Sequence, residues 1–132
     1  MRRRSVLVLG ALVLLGCRTD PSSAQATAER FLDAHYVRID RPTAEAIATG
    51  VASKKLADER RLVEGHMIDE ATRLPNVYYR LEEERPDGDA RSRLIYRVTF
   101  AVEGADTFDR RVLILLRREA EAWRVANFEE FE

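Results

Sequence analysis

Apolar residues are distributed along this chain in successive regimes, and each predicts a different kind of segment. Val6–Gly16 is an unbroken apolar run behind Arg2, Arg3 and Arg4. An α-helix needs about 20 residues to cross a bilayer core, so this run is too short for a permanent span. A positive flank followed by a short apolar core reads instead as an export signal over residues 1–16. Farther on the spacing becomes helical: Ala28, Phe31, Leu32, His35 and Ile39 recur at i, i+3, i+4 and i+7, with Glu29, Arg30, Asp33 and Arg38 on the rest of the wheel. This predicts a first amphipathic helix capped by Ser22 or Ser23. Asp40 to Pro42 is a stop and restart, with Pro42 suited to the first helical positions. A short Ala-rich helix is expected over Thr43–Thr49, closed by Gly50. A third is expected over Ala52–Glu64, with Ala52, Leu56, Leu62 and Val63 inward and Gly65 at its end. Its other face carries Lys54, Lys55, Asp58, Glu59, Arg60 and Arg61, a mixed charge run expected to be solvated.

Beyond Pro75 the period drops to two. In Asn76–Arg85, Val77, Tyr79 and Leu81 share one face, while Tyr78, Arg80, Glu82 and Glu84 share the other. Pro86–Asp89 supplies a turn with glycine. Arg93–Glu103 turns Leu94, Tyr96, Val98, Phe100 and Val102 inward, and Gly104–Asp106 reverses the chain again. Phe108–Arg118 is apolar on both faces over Val112–Leu116, as in an interior strand covered twice or leaning on a partner. Trp123–Phe128 closes the series after Glu119–Glu121, a reversal without Gly or Asn. Helices first and then an antiparallel run of strands imply an α+β domain: about three N-terminal helices packed on a curved four-stranded antiparallel sheet. The chain divides into residues 1–16, a tether over 17–23 and one domain over 24–132.

Leu14-Leu15-Gly16-Cys17 resembles the lipobox of bacterial lipoproteins. The resemblance implies that Cys17 is joined to diacylglycerol, that residues 1–16 are removed, and that the mature chain is a palmitate-type lipoprotein anchored in the cell envelope. Cys17 is the only cysteine, and lipidation would consume a thiol otherwise left reactive in an oxidising compartment. Arg18, rather than Asp, follows the cysteine. This resembles the sorting pattern for the periplasmic face of the outer membrane in a Gram-negative host. The order of elements in residues 24–130, and the closing Trp123-Arg124-Val125 with Asn127-Phe128, resemble the nuclear transport factor 2-like superfamily, also called SnoaL-like or cystatin-like. That resemblance implies a cone-shaped domain and permits a homodimer built on the sheet. It implies no single activity, because the superfamily contains enzymes, ligand binders and interaction domains.

Composition narrows the function classes. With 45% hydrophobic and 34% charged residues the chain has the mix of a folded globular protein. Three of the 22 basic residues leave with the signal, so 19 remain against 23 acidic ones and the net charge falls from −1 to −4. A mildly acidic domain without a basic patch argues against nucleic acid as a partner. Acid/base chemistry would need a titratable group in the pocket. His35 is the candidate, since it lies on the apolar face of the first helix. With no Asp or Glu on the inward series of the strands, a hydrogen bond from His35 to a carbonyl is the plainer expectation. His66, Asp69 and Glu70 are too generic a set to signal zinc, so neither metal nor cofactor is expected. No nucleophile elbow or phosphate loop occurs. Phe31, His35, Tyr79, Tyr96 and Trp123 are the candidate lining of an apolar pocket, although aromatics at such positions more often form core. Glu82–Glu84 are expected to pair across strands with Arg97, Arg110, Arg111, Arg117 and Arg118. The expectation is a non-enzymatic, membrane-anchored interaction or accessory module with an envelope protein partner. The alternatives are a cone for a small apolar ligand and, after it, an acid/base enzyme using His35.

Overall fold

The computed structural model describes residues 20–65 and 75–132. Cys17, residues 1–19 and the set His66, Asp69 and Glu70 lie outside the described residues. Helix α1 (Ala24–Leu32) starts at Ser23, whose Oγ accepts the backbone N–H of Ala26 at 3.1 Å. The expected inward series is found, with Ala28, Phe31 and Leu32 buried. The helix does not run on regularly to Ile39, however. Asp33–Val37 form a π-helical turn in which Arg38 N–H reaches back to the Asp33 carbonyl at 2.8 Å. The extra residue rotates the wheel, so Ala34 and Tyr36 join the core. Ile39 is turned aside into the left-handed region at φ 52°.

Helix α2 (Arg41–Ile47) is capped by Asp40, which accepts from both the Thr43 backbone and hydroxyl, and it carries Pro42 in its first turn. It begins and ends two residues before the expected Thr43–Thr49. Ala48 is then extended and bridges Val125 in parallel, with Thr49 N–H donating to the Val125 carbonyl at 2.8 Å. Gly50 therefore opens helix α3 (Gly50–Val63) at φ 53°, where glycine carries no Cβ penalty, and does not close α2. Ala52 and Leu56 face the core as expected, whereas Leu62 is 79% exposed and Val63 only half-buried. The charged face of α3 is also less solvated than its composition implies: Lys55 Nζ donates to the Phe128 carbonyl at 2.6 Å.

Strands β1 (Asn76–Asp87), β2 (Arg91–Ala101), β3 (Phe108–Glu119) and β4 (Ala122–Phe131) form an antiparallel meander in that order. Period-two alternation sends Val77, Leu94, Tyr96, Val98, Val112, Ile114, Leu116 and Val125 toward the helices. Bulges at Glu82 in β1 and at Ala126 in β4 interrupt the register; such insertions bend the strand and increase its twist. The first bulge reverses the expected face of Glu84, which now pairs opposite the core residue Leu94. The β3–β4 reversal holds both Ala120 and Glu121 at positive φ, 48° and 67°, the backbone of a tight hairpin turn built without glycine. All helices pack on one face of the sheet. Leu113 and Leu115 sit on the other, half-buried, and no second layer covers them among the described residues.

Candidate functional site

Among the described residues, the interior between helices and sheet is closed. Phe31, Leu32, Leu94, Tyr96, Val98, Val112, Ile114 and Val125 have no accessible surface, which leaves no water-sized void against any of them. Of the expected lining residues, Phe31 stacks on His35 with centroids 5.4 Å apart, and Tyr79 meets Tyr96 edge to face at 6.0 Å. Trp123 stands apart at the other end, half-buried beneath the Arg118 guanidinium at 5.0 Å. The three inward tyrosines end on carboxylates. Tyr36 Oη donates to Glu130 at 2.8 Å, Tyr79 to Asp33 at 3.0 Å and Tyr96 to Glu29 at 3.2 Å. Burial first, and then the neighbouring carboxylates, push all three phenols well above their ordinary value.

His35 lies on the π-helical turn, in the kind of distortion that frequently accompanies functional sites. Its Nε2 is 2.8 Å from Glu59 Oε2 on α3, so its partner is a carboxylate and not the expected carbonyl. The ring is enclosed by Phe31, Tyr36 and Phe128. The other ring nitrogen, Nδ1, is buried and has no hydrogen-bond partner among the described residues. Ala34, Ile39, Arg41, Glu45 and Leu56 complete a pocket of about 200 Å³ beside this pair. The pocket opens among the helices and not onto the sheet. Both ring nitrogens are thus committed or sealed, which suits a strut better than a proton shuttle.

The carboxylates that meet these side chains were missed from the sequence for a shared reason. Glu29, Asp33 and Glu59 occupy polar positions on their helices and find their partners only when the elements cross. Glu130 falls beyond the expected end of the last strand, yet pairs opposite the core residue Val112. Among the described residues, no group of three or more His, Cys, Asp or Glu side chains could hold a metal ion. Nor is any described helix long and apolar enough to cross a membrane.

Two open features on the outer face of the sheet bear on recognition. Near its centre, Glu82 accepts from Arg111 at 3.2 Å and lies 3.6 Å from Arg97, as cross-strand pairing predicts. Arg110 instead pairs with the terminal Glu132, and Arg117 with Glu119. Beside Glu82, Ile95, Arg111 and Phe131 bound a depression of about 340 Å³, with Phe131 39% exposed. Toward the β1–β2 hairpin, a groove of about 440 Å³ has Leu115 and Ala126 on its floor and Arg85, Arg91, Arg93 and Arg117 around it.

Three helices on one face of a curved four-stranded antiparallel sheet define this as an α+β domain with the nuclear transport factor 2-like fold. Solved structures share that architecture. A ketosteroid isomerase-like protein from Erwinia carotovora atroseptica is 18% identical, with a TM-score of 0.59 over 86% of this chain and 96% of that one. A nuclear transport factor 2-like protein of unknown function from Shewanella oneidensis gives 0.63 at 11% identity, covering 86% and 100%. A domain of unknown function with a cystatin-like fold from Nostoc punctiforme gives 0.61 at 11% identity, covering 86% and 78%. At these identities the likeness is one of fold. No protein-family model matches the chain. No curated protein matches it either.

Proposed function

We propose that this chain is an envelope lipoprotein, acylated at Cys17 after removal of residues 1–16, whose small domain acts as a non-enzymatic interaction module. On this reading the domain stands at the periplasmic face of the outer membrane in a Gram-negative host, held there by the tether over residues 17–23. The observation that carries the reading is the closed interior. Phe31 and Tyr96, which would line a ligand-binding cone, have no accessible surface, so neither can offer a wall to a small apolar ligand. The acid/base alternative is weakened in the same way, since Nε2 of His35 is engaged by Glu59 and the unpartnered Nδ1 is buried. The outer sheet face is the surface left for recognition: Ile95, Leu113, Leu115 and Phe131 form an apolar stripe crossed by Arg and Glu side chains. Half-exposed apolar residues ringed by charge suit a protein partner, or a second copy of the domain.

Photo-crosslinking in native membranes tests this directly. A photoreactive residue replacing Leu113 on the outer sheet face should give a discrete crosslinked species, whereas one at the exposed Val51 on α3 should not. Absence of crosslinks from Leu113 and from neighbouring Ile95 would overturn the interaction reading.

A further inference from the structure

The groove at the β1–β2 end of the sheet is built in a way that folding alone does not require. The register sets Arg85 opposite Arg93, Arg91 opposite Arg117, and Arg117 opposite Arg124. Like charges placed directly across strands destabilise a sheet. Acidic neighbours offset only part of this: Arg85 pairs with Glu83, and Arg117 and Arg124 with Glu119. Arg91 and Arg93 make no ion pair among the described residues. Asp87 is the one carboxylate in the groove's lining, against four guanidinium groups over an apolar floor, so strand register gathers a basic patch that the composition did not lead us to expect.

The same end of the domain is where the chain departs toward Cys17. Ser23 and Ala24, at the start of α1, bound a second depression of about 290 Å³ together with Gly88, Asp89, Arg91 and Trp123. Arg91 therefore borders both the groove and the root of the tether. Asp20 lies three residues from Cys17, a stretch that reaches no more than about 11 Å. If Cys17 is seated in lipid, this end stays within reach of the headgroups, and the tether alone does not fix which way the domain leans.

We propose that the Arg85, Arg91, Arg93 and Arg117 groove docks on anionic phospholipid, its guanidinium groups gripping headgroup phosphates beside the tether. Planar guanidinium forks match phosphate oxygens in pairs, and Leu115 and Ala126 offer an apolar floor to the adjoining glycerol and acyl carbons. Docking would fix the domain's orientation, with the β1–β2 hairpin down and the Ile95, Leu113 and Phe131 stripe presented sideways to a partner. This inference rests on acylation of Cys17, and its test separates the two.

The acylated chain, purified from host membranes, would be reconstituted in vesicles of phosphatidylcholine alone or mixed equally with phosphatidylglycerol, each with a nitroxide-headgroup quencher. A fluorophore would be placed through Asp89→Cys in the β1–β2 turn or Ala105→Cys in the β2–β3 turn, about 33 Å away along β2 by strand rise. With phosphatidylglycerol, quenching should be strong at position 89 and weak at 105; with phosphatidylcholine alone the two should converge. R91Q/R93Q should lower the ratio of docked to undocked molecules about 30-fold, from roughly fivefold per arginine near an anionic surface. High salt should act in the same direction. Equal quenching at both positions in the mixed vesicles, or none of the contrast lost in R91Q/R93Q, would overturn the docking while leaving the anchor intact. Failure to float with phosphatidylcholine vesicles would overturn the anchor, and the docking that depends on it.

Discussion

Replacing Phe31 by Ala tests whether the interior is as full as the packing indicates. The Phe31 ring has no accessible surface and lies between His35 and Phe128, with centroids 5.4 and 5.0 Å away. Deleting a buried phenyl group from such a site costs about 3–5 kcal/mol, part from lost transfer energy and part from the cavity left behind. Against a total stability of about 5–15 kcal/mol for a domain of this kind, that is a large fraction. At about 4 °C per kcal/mol for this size, the melting temperature should fall by roughly 12–20 °C. Urea titration followed by circular dichroism gives the free energy, provided the slope against denaturant stays constant between variants. A second arm uses benzene: a dry apolar cavity takes it up and is stabilised, so F31A should gain stability in saturating benzene and the parent chain should not. A loss below about 1 kcal/mol, far under the usual cost of such a truncation, would refute the reasoning. So would equal stabilisation of both proteins by benzene, because either result means that space beside Phe31 already exists.

The tyrosine–carboxylate struts predict alkaline sensitivity. Their phenols titrate higher in the fold than their ordinary value of 10.0, so their stabilisation is complete below that pH and is lost as pH rises beyond it. Tyr96→Phe should cost about 1 kcal/mol at neutral pH and flatten the alkaline limb of a stability-versus-pH curve; an unchanged limb in the Tyr36, Tyr79 and Tyr96 triple Phe variant would contradict this. Glu59→Gln should cost no more than about 1 kcal/mol, since the carboxylate is 41% exposed and the amide can still accept from His35. A much larger loss by denaturant titration would mean that the pair is more shielded than it looks. At the β3–β4 turn, Ala120→Asn with Glu121→Gly should stabilise by about 1–2 kcal/mol by relieving two left-handed residues, read as a rise in the urea midpoint; no rise would argue against that turn geometry.

Periodicity made the layers legible. The series Ala28, Phe31 and Leu32 and the alternation through Leu94, Tyr96 and Val98 are set by the 3.6 and 2.0 repeats of their own elements, and a local repeat needs no knowledge of the partner. What interrupts a repeat was not legible. A single inserted residue in the π-helical turn carries Tyr36 into the core and turns Ile39 aside. A bulge at Glu82 reverses Glu84, and neither insertion leaves a composition signal. Gly50 illustrates another ambiguity, because glycine at positive φ can end one helix or begin the next. His35 was legible as the candidate side chain, but its partner came from 24 residues away on a face that read as solvated. The opposed arginines likewise follow from strand register, which residue types alone do not fix.

The functional reading turns on the acyl group at Cys17, and intact-mass analysis of the chain extracted from its native membranes tests that most directly. The account predicts a mature protein that begins at Cys17 and carries diacylglycerol as a thioether. A chain that retains residues 1–16, or begins elsewhere with Cys17 as a free thiol, would contradict it.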